Sequence, residues 1–339
     1  MKKAIILAAL AAPLMATSAL AGANNQKICT ATAALANRAC GYNALDDYYL
    51  KSAACINLTD PAESSECQSN AKEELAENRA DCGEQSAARL DICGKVGEAA
   101  YDPDFNPANF ETEFHNLMHP NAYYPLGVGD RWEYRSNEGE TDVVEVLDQT
   151  KEIDSIACVV VHDLVSVDGA AIEDTNDWFA QAKDGAVWYC GEEVKDYETF
   201  DGDDPVLPEL VAIDGSFKTG RDEAKPGIIF PAIPMRGVTY REEFAIAEAE
   251  DVSTIVTTTY GYGADPSLDE LVPPALAHLL CNDDCVVTNA FSANDPGVVE
   301  RKYFAPGVGT FLETNPETGE VVQLVNCNFD PRCVSLPQP

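Results

Sequence analysis

Two textures of hydrophobic and polar positions divide the chain. Ala31 to Ala54 and Ala62 to Leu90 are rich in Ala, Leu, Glu and Asn, contain no proline, and predict two long helices. Asp60-Pro61-Ala62-Glu63 reads as the start of the second, with an N-cap acid, proline at the first helical position and an acid two residues on. Gly94 and Gly97 offer its stop. Tyr101 to Pro120 has Asp, Asn and Pro in place of periodic apolar residues and reads as a linker. From Tyr123 onward the period shortens. Short β-branched and aromatic runs predict strands at Trp132–Arg135, Asp142–Leu147, Ile156–Val165, Asp177–Gln181, Ala186–Cys190, Thr239–Ala245, Val252–Tyr260, Val286–Phe291, Val299–Phe304, Thr310–Glu313 and Val321–Val325. A helical stretch, Leu268 to Leu280, interrupts them. The expected class is α+β: an N-terminal disulfide-nested α-hairpin, then a mainly antiparallel β domain built as a half-barrel, barrel or sandwich.

Cysteine positions define the hairpin. Cys29, Cys40, Cys55, Cys67, Cys82 and Cys93 stand 11, 15, 12, 15 and 11 residues apart, a palindrome. Spacings of 11 and 15 return a helical residue to nearly the same face, drifting by roughly 20° and 60°. Pairing from the outside in joins Cys29 to Cys93, Cys40 to Cys82 and Cys55 to Cys67. The numbers of each pair sum to 122, the condition for facing positions on antiparallel helices. Metal binding by these thiolates is the weaker reading, because there is no CxxC and no nearby histidine. Among the others, Cys327 and Cys333 predict a local clasp on the tail. The pairing of Cys158, Cys190, Cys281 and Cys285 stays open.

Lys2 and Lys3, an apolar run from Ala4 to Ala16 and Ala19-Leu20-Ala21 form a secretory signal peptide, with cleavage expected after Ala21. The run is too short to span a bilayer, and no later stretch approaches that length. A periplasmic or secreted protein follows, which agrees with an even set of 12 cysteines. The expected organisation is signal peptide 1–21, stapled hairpin 22–98, linker 99–120, β-rich domain 121–326 and tail 327–339. The formal charge is -36, and loss of Lys2 and Lys3 takes it to -38. Such an excess excludes nucleic acid and anionic membrane surfaces as partners.

Several phrases recur in order through the β domain. They are Asn121-Ala-Tyr-Tyr-Pro-Leu-Gly-Val-Gly-Asp-Arg-Trp-Glu-Tyr134, the stretch Ile172 to Glu193, Asp214-Gly-Ser-Phe-Lys-Thr-Gly220 with Ala224-Lys-Pro-Gly-Ile228, Tyr240-Arg-Glu-Glu243 with Ala247-Glu-Ala-Glu-Asp251, and Arg301-Lys-Tyr-Phe-Ala-Pro-Gly-Val-Gly309. Residues 121–325 thereby resemble a family of exported β-rich bacterial proteins of unassigned function. The resemblance implies a β-rich fold and carries over no activity. Cys190 and Phe217 depart from the family's more usual aromatic and tryptophan, Pro266 to Cys281 reads as an insertion, and the hairpin is an addition.

Candidate chemistry concentrates in Ile172 to Glu193, which holds two tryptophans and six carboxylates in 22 residues. If Ala182 to Gly185 is a four-residue turn, Gln181 faces Ala186. Alternation then puts Asp177, Phe179, Gln181, Trp188 and Cys190 on one face, and Trp178, Ala180, Val187 and Tyr189 on the other; a shift of one reshuffles them. Asp174, Asp177, Trp188 and Glu192 are candidate binding residues. Asp174, Asp177 and Glu192 are also the candidate ligands for calcium, the one cofactor that the acidic clustering suggests. A second acidic cluster contributes Glu243, Glu250 and Asp251. Alternation through Tyr240 to Glu243 sends Glu242 and Glu243 to opposite faces, so an inward Glu243 would need Lys302, Arg301 or a metal beside it. Lys302 therefore joins the binding set.

Asp177, Glu192 and Glu243 are the candidates for carboxylate acid–base catalysis. No GxSxG, HExxH or P-loop is present. The expected function is an exported binding or interaction module for an unidentified ligand or envelope partner, with calcium or a glycan as candidates. The alternative is a carboxylate-dependent hydrolase of a cell-envelope polymer. Inward carboxylates around a pocket with an exposed tryptophan would favour the enzyme; a filled core with outward acids would favour the module.

Overall fold

A computed structural model describes residues 27–339, so the expected signal peptide and cleavage after Ala21 lie outside the described residues. Helices α1 (Ile28–Ile56) and α2 (Pro61–Val96) form the hairpin. Asp60 accepts from the amides of Ala62 and Glu63, Pro61 occupies the first turn, and Gly97 ends α2 at φ 96°. Cys29–Cys93, Cys40–Cys82 and Cys55–Cys67 nest as the palindrome requires. Apart from cysteines, the side chains buried along most of the hairpin are alanines: Ala33, Ala36, Ala44 and Ala71. So small an apolar seam stabilises two helices weakly, and the disulfides supply the constraint that a larger core would otherwise provide.

The β domain contains β1 (Arg131–Ser136), β2 (Glu140–Ile153), β3 (Ile156–Val167), β4 (Ala170–Gln181), β5 (Val187–Glu193), β6 (Asp196–Glu198), β7 (Glu209–Ala212), β8 (Lys225–Phe230), β9 (Thr239–Arg241), β10 (Glu243–Phe244), β11 (Val252–Tyr260), β12 (Cys285–Phe291), β13 (Glu300–Ala305), β14 (Gly309–Asn315) and β15 (Glu320–Cys327). All pairings are antiparallel. Two meanders, β1 to β5 and β11 to β15, join through β1 and β15, and β8 extends the first beyond β5.

One segment brings the two ends of this sheet together. Thr239–Arg241 pairs with β11, whereas Glu243 and Phe244, immediately downstream, pair with β8. The result is a nearly closed antiparallel barrel. The seam needs glycine at 227, because a Cβ there would overlap the Glu242 carbonyl. The Pro226-Gly227 pair also concealed β8 in the sequence. The expected helix Leu268–Leu280 is corrected to a 3-10 turn, Pro266–Leu268, and a short α3 (Pro274–Leu280); Pro273 and Pro274 prevent one continuous helix.

The main core cluster includes Tyr260, Tyr303, Phe311, Leu312 and Leu324 together with Leu276 and Leu280 of α3. Tyr303 and Leu312 alternate with the cavity-lining Lys302, Phe304 and Glu313, so they face away from the barrel interior. A second apolar layer lies outside the sheet, where Phe105 and Phe110 cover Trp178, Trp188, Ala180 and the Cys158–Cys190 disulfide. Cys281–Cys285 and Cys327–Cys333 complete six pairs, and no cysteine is free among the described residues. This is the cysteine usage of proteins in oxidising compartments. Among the described residues no helix is long and apolar enough to cross a membrane.

The hairpin is anchored to the barrel near the end of α2. Ile92 packs with Val252 and Ala293. Beside them the buried Arg89 donates to Glu250 Oε2 from Nε at 2.8 Å and from Nη2 at 2.5 Å, and to Asn294 Oδ1 at 3.0 Å.

Candidate functional site

Along β1, β2 and β3 every second side chain faces the barrel interior. Trp132, Tyr134 and Ser136 do so from β1, Glu140, Asp142, Val144 and Val146 from β2, and Val161, Asp163 and Val165 from β3. The phase is largely apolar; Ser136 and Glu140 break it at strand ends, and Asp142 and Asp163 break it within β2 and β3. With Asp177 and Phe179 of β4, Tyr189 of β5, Lys302 of β13 and Glu313 of β14, they surround a cavity of about 400 Å³. Its lining holds eight acids, namely Glu140, Asp142, Asp163, Asp177, Glu242, Glu243, Asp251 and Glu313, against one cation, Lys302. Six aromatic side chains, Tyr124, Trp132, Tyr134, Phe179, Tyr189 and Phe304, supply much of the remaining wall.

Glu242 and Glu243 are adjacent, yet both line the cavity, contrary to the alternation expected from sequence. The cause is local. Both of their amides donate to the Asp251 carbonyl, at 2.8 and 3.2 Å, so the strand is irregular where it passes from one sheet end to the other. Arg241 turns outward over the rings of Phe244 and Tyr101.

The four-residue turn at Ala182 is corrected similarly. Gln181 pairs with Val187, and a bulge between Trp178 and Phe179 resets the strand. Asp177 and Phe179 therefore share the inner face with Tyr189, while Trp188 joins Trp178 outside, beneath Phe105 and Phe110.

Few donors meet the interior acids. Lys302 Nζ lies 3.6 Å from Glu313 Oε2 and 3.5 Å from Glu300 Oε2, and the Tyr189 hydroxyl donates to Asp177 Oδ1. Asp142 Oδ1 and Asp163 Oδ1 are buried without a donor from any other described residue. The two carboxyls can satisfy each other only by sharing a proton. Burial raises both: Asp142 to about 6, and Asp163 well above the usual range because it also faces the charge of Asp142 and holds the shared proton. Burial raises Glu242 to about 7, with Lys302 opposing the shift. Burial and Asp163 raise Asp177 to about 7, and burial and Asp177 raise Glu192, its cross-strand partner, to about 9. Glu243 is driven well above the usual range by burial and then by Asp251. Lys302 is raised because Glu313 and its neighbours favour its charged form more than burial opposes it.

The structure thus gathers Asp177, Glu243, Asp251 and Lys302 around the cavity and sets Glu192 beside Asp177. It separates the other candidates. Asp174 bonds His162 Nε2 at 3.1 Å and lies 3.8 Å from Lys195. Glu250 holds Arg89, and Trp188 belongs to the outer layer. No group of three or more His, Cys, Asp or Glu side chains is arranged to hold a metal among the described residues, and the Asp174, Asp177 and Glu192 set does not converge as calcium requires. Asp142, Asp163, Glu242 and Glu313 also line the cavity, although the sequence does not single them out as candidates. For Asp142 and Asp163 the signal lies in Asp142-x-Val144-x-Val146 and Val161-x-Asp163-x-Val165, where an acid occupies the apolar phase of a strand.

No family model matches the chain, and neither the curated proteins nor the solved structures contain a match to it.

Proposed function

We propose that this is an exported binding protein whose barrel interior takes a small organic cation with an apolar body. The observation that carries this reading is the pair of buried Oδ1 atoms of Asp142 and Asp163, which meet no donor from outside the pair, in an aromatic-walled cavity with eight acids and one lysine. A protonated amine supplies the missing N–H donors and offsets the concentrated negative charge. Its carbon body packs on the aromatic wall, whose ring faces also attract the cation. A cavity of about 400 Å³ lies within the usual range for small-molecule sites. The signal sequence and six disulfides support delivery to the periplasm or outside.

Two features favour the hydrolase alternative: acids line a cavity instead of all facing outward, and burial and mutual charge raise Asp163 further than its neighbour Asp142, an acid next to a base. The tryptophan in the lining, Trp132, is however buried and not exposed. The cavity volume suits a small substrate better than an envelope polymer, so binding remains the stronger reading.

Phenethylamine, 2-phenylethanol and phenylacetate share one body and differ in charge, so thermal shift with these three tests the proposal. At pH 7.5 only the amine should raise the melting temperature. Equal stabilisation by the alcohol, or stabilisation by the carboxylate alone, overturns the assignment.

A further inference from the structure

Beyond ligand binding, we infer that α1 is a dimerisation helix, pairing antiparallel with α1 of a second copy about a two-fold axis at Tyr42. Every seventh residue of α1 is large and apolar: Ile28, Leu35, Tyr42, Tyr49 and Ile56. Four of them stand out into solvent, with Leu35 64%, Tyr42 72%, Tyr49 66% and Ile56 70% exposed. Neither α2 nor the barrel covers them. A seven-residue repeat drifts by roughly 20° per heptad on a straight helix, and a second helix supercoiled against the first follows that drift.

Charge points to the same surface. The chain carries -36 overall, whereas α1 has two basic and two acidic residues and α2 beside it has four basic and eight acidic. One of the charges on α1, Lys51, is already engaged with Glu74 of α2. This neutral stripe is where two copies of so acidic a protein can approach.

Self-complementarity identifies the occupant. Reversing α1 about Tyr42 sets Ile28 against Ile56 of the second copy, Leu35 against Tyr49, and Ala39 against Leu45. The same operation sets Arg38 against Asp46, so this opposite-charge pair forms twice across the axis. A helix from an unrelated partner would impose no such palindrome. With its flanking alanines the stripe offers on the order of 600 Å² per protomer, so a dimer buries about 1,200 Å², the lower end for stable interfaces.

Sedimentation velocity of the disulfide-bonded protein across micromolar concentrations tests this, with circular dichroism to confirm an intact hairpin. A reversible dimer is expected. Tyr42→Asp places two carboxylates on the axis and should weaken the dimer ~30-fold or more, as loss of a central anchor does. Arg38→Asp and Asp46→Arg should each weaken it about tenfold, and the double swap should restore it. A monomer at every concentration overturns the inference, and so does a dimer indifferent to all of these changes.

Discussion

Replacing Glu242 by Gln removes one interior charge while keeping the side chain's shape. Glu242 is 7% exposed, and its carboxyl is raised from 4.5 to about 7. At about 1.4 kcal/mol per unit, that difference corresponds to about 3 kcal/mol of stability linked to its protonation. The folded state holds the proton more tightly than the unfolded state. The contribution is therefore fully present below pH 4.5 and is lost as pH rises through about 7. At pH 5, where the wild-type carboxyl is largely protonated, Glu242→Gln should change stability little. At pH 8.5, where the native protein must bury a carboxylate, the variant should be more stable by up to about 3 kcal/mol. Urea unfolding followed by circular dichroism at both pH values, with disulfides intact, reads this as a midpoint shift at unchanged slope. An equal gain at the two pH values, or a variant less stable than wild type at pH 8.5, would refute the reasoning.

Gly227→Ala pushes the seam apart at the Glu242 carbonyl; it should lower the unfolding free energy by several kcal/mol, read as a lower urea midpoint, and abolish stabilisation by phenethylamine. Arg89→Met leaves Glu250 buried and unpaired, so a loss of about 3–5 kcal/mol is expected, with most recovered in Arg89→Met/Glu250→Leu. Equal losses in the single and double variants would show that the pair does more than satisfy its own burial. Cys40→Ser/Cys82→Ser removes the middle staple, and helicity at 222 nm should melt earlier while near-UV dichroism from the barrel keeps its midpoint. A common shift of both signals would mean that the hairpin and barrel unfold as one unit.

The hairpin could be read from sequence because helical geometry turns cysteine spacing into facing positions, and the 11, 15, 12, 15, 11 series admits one nested solution. Most strands were legible for a similar reason, since alternation and β-branched runs are local signals. Barrel closure was not legible. It depends on β8, masked by Pro226-Gly227, and on both Glu242 and Glu243 donating to the Asp251 carbonyl, which breaks the period on which the reading relied. The hairpin at Ala182 failed by one register step, and that step exchanged Trp188 for Tyr189 on the inner face. The candidate site was partly visible. Asp177, Glu243, Asp251 and Lys302 stand out because they cluster in sequence or face one another in a simple strand pattern. Asp142 and Asp163 are brought together only by the lateral packing of β2 and β3, and each looks unremarkable within its own strand until its phase is counted.

Titration calorimetry of phenethylamine near pH 6.5, in phosphate and in ACES, tests the central claim most directly. The amine remains charged throughout this range, while Asp142, Asp177 and Glu242 titrate between about 6 and 7. A cation bound among them lowers those values, so binding should release protons, the apparent enthalpy should differ between the buffers, and affinity should rise from pH 5 to pH 8. One site per chain with proton release, and no heat from 2-phenylethanol or phenylacetate, is the predicted result. Binding that leaves the proton balance unchanged, or a preference for the alcohol or the carboxylate, would contradict a cation held by the acids of the barrel.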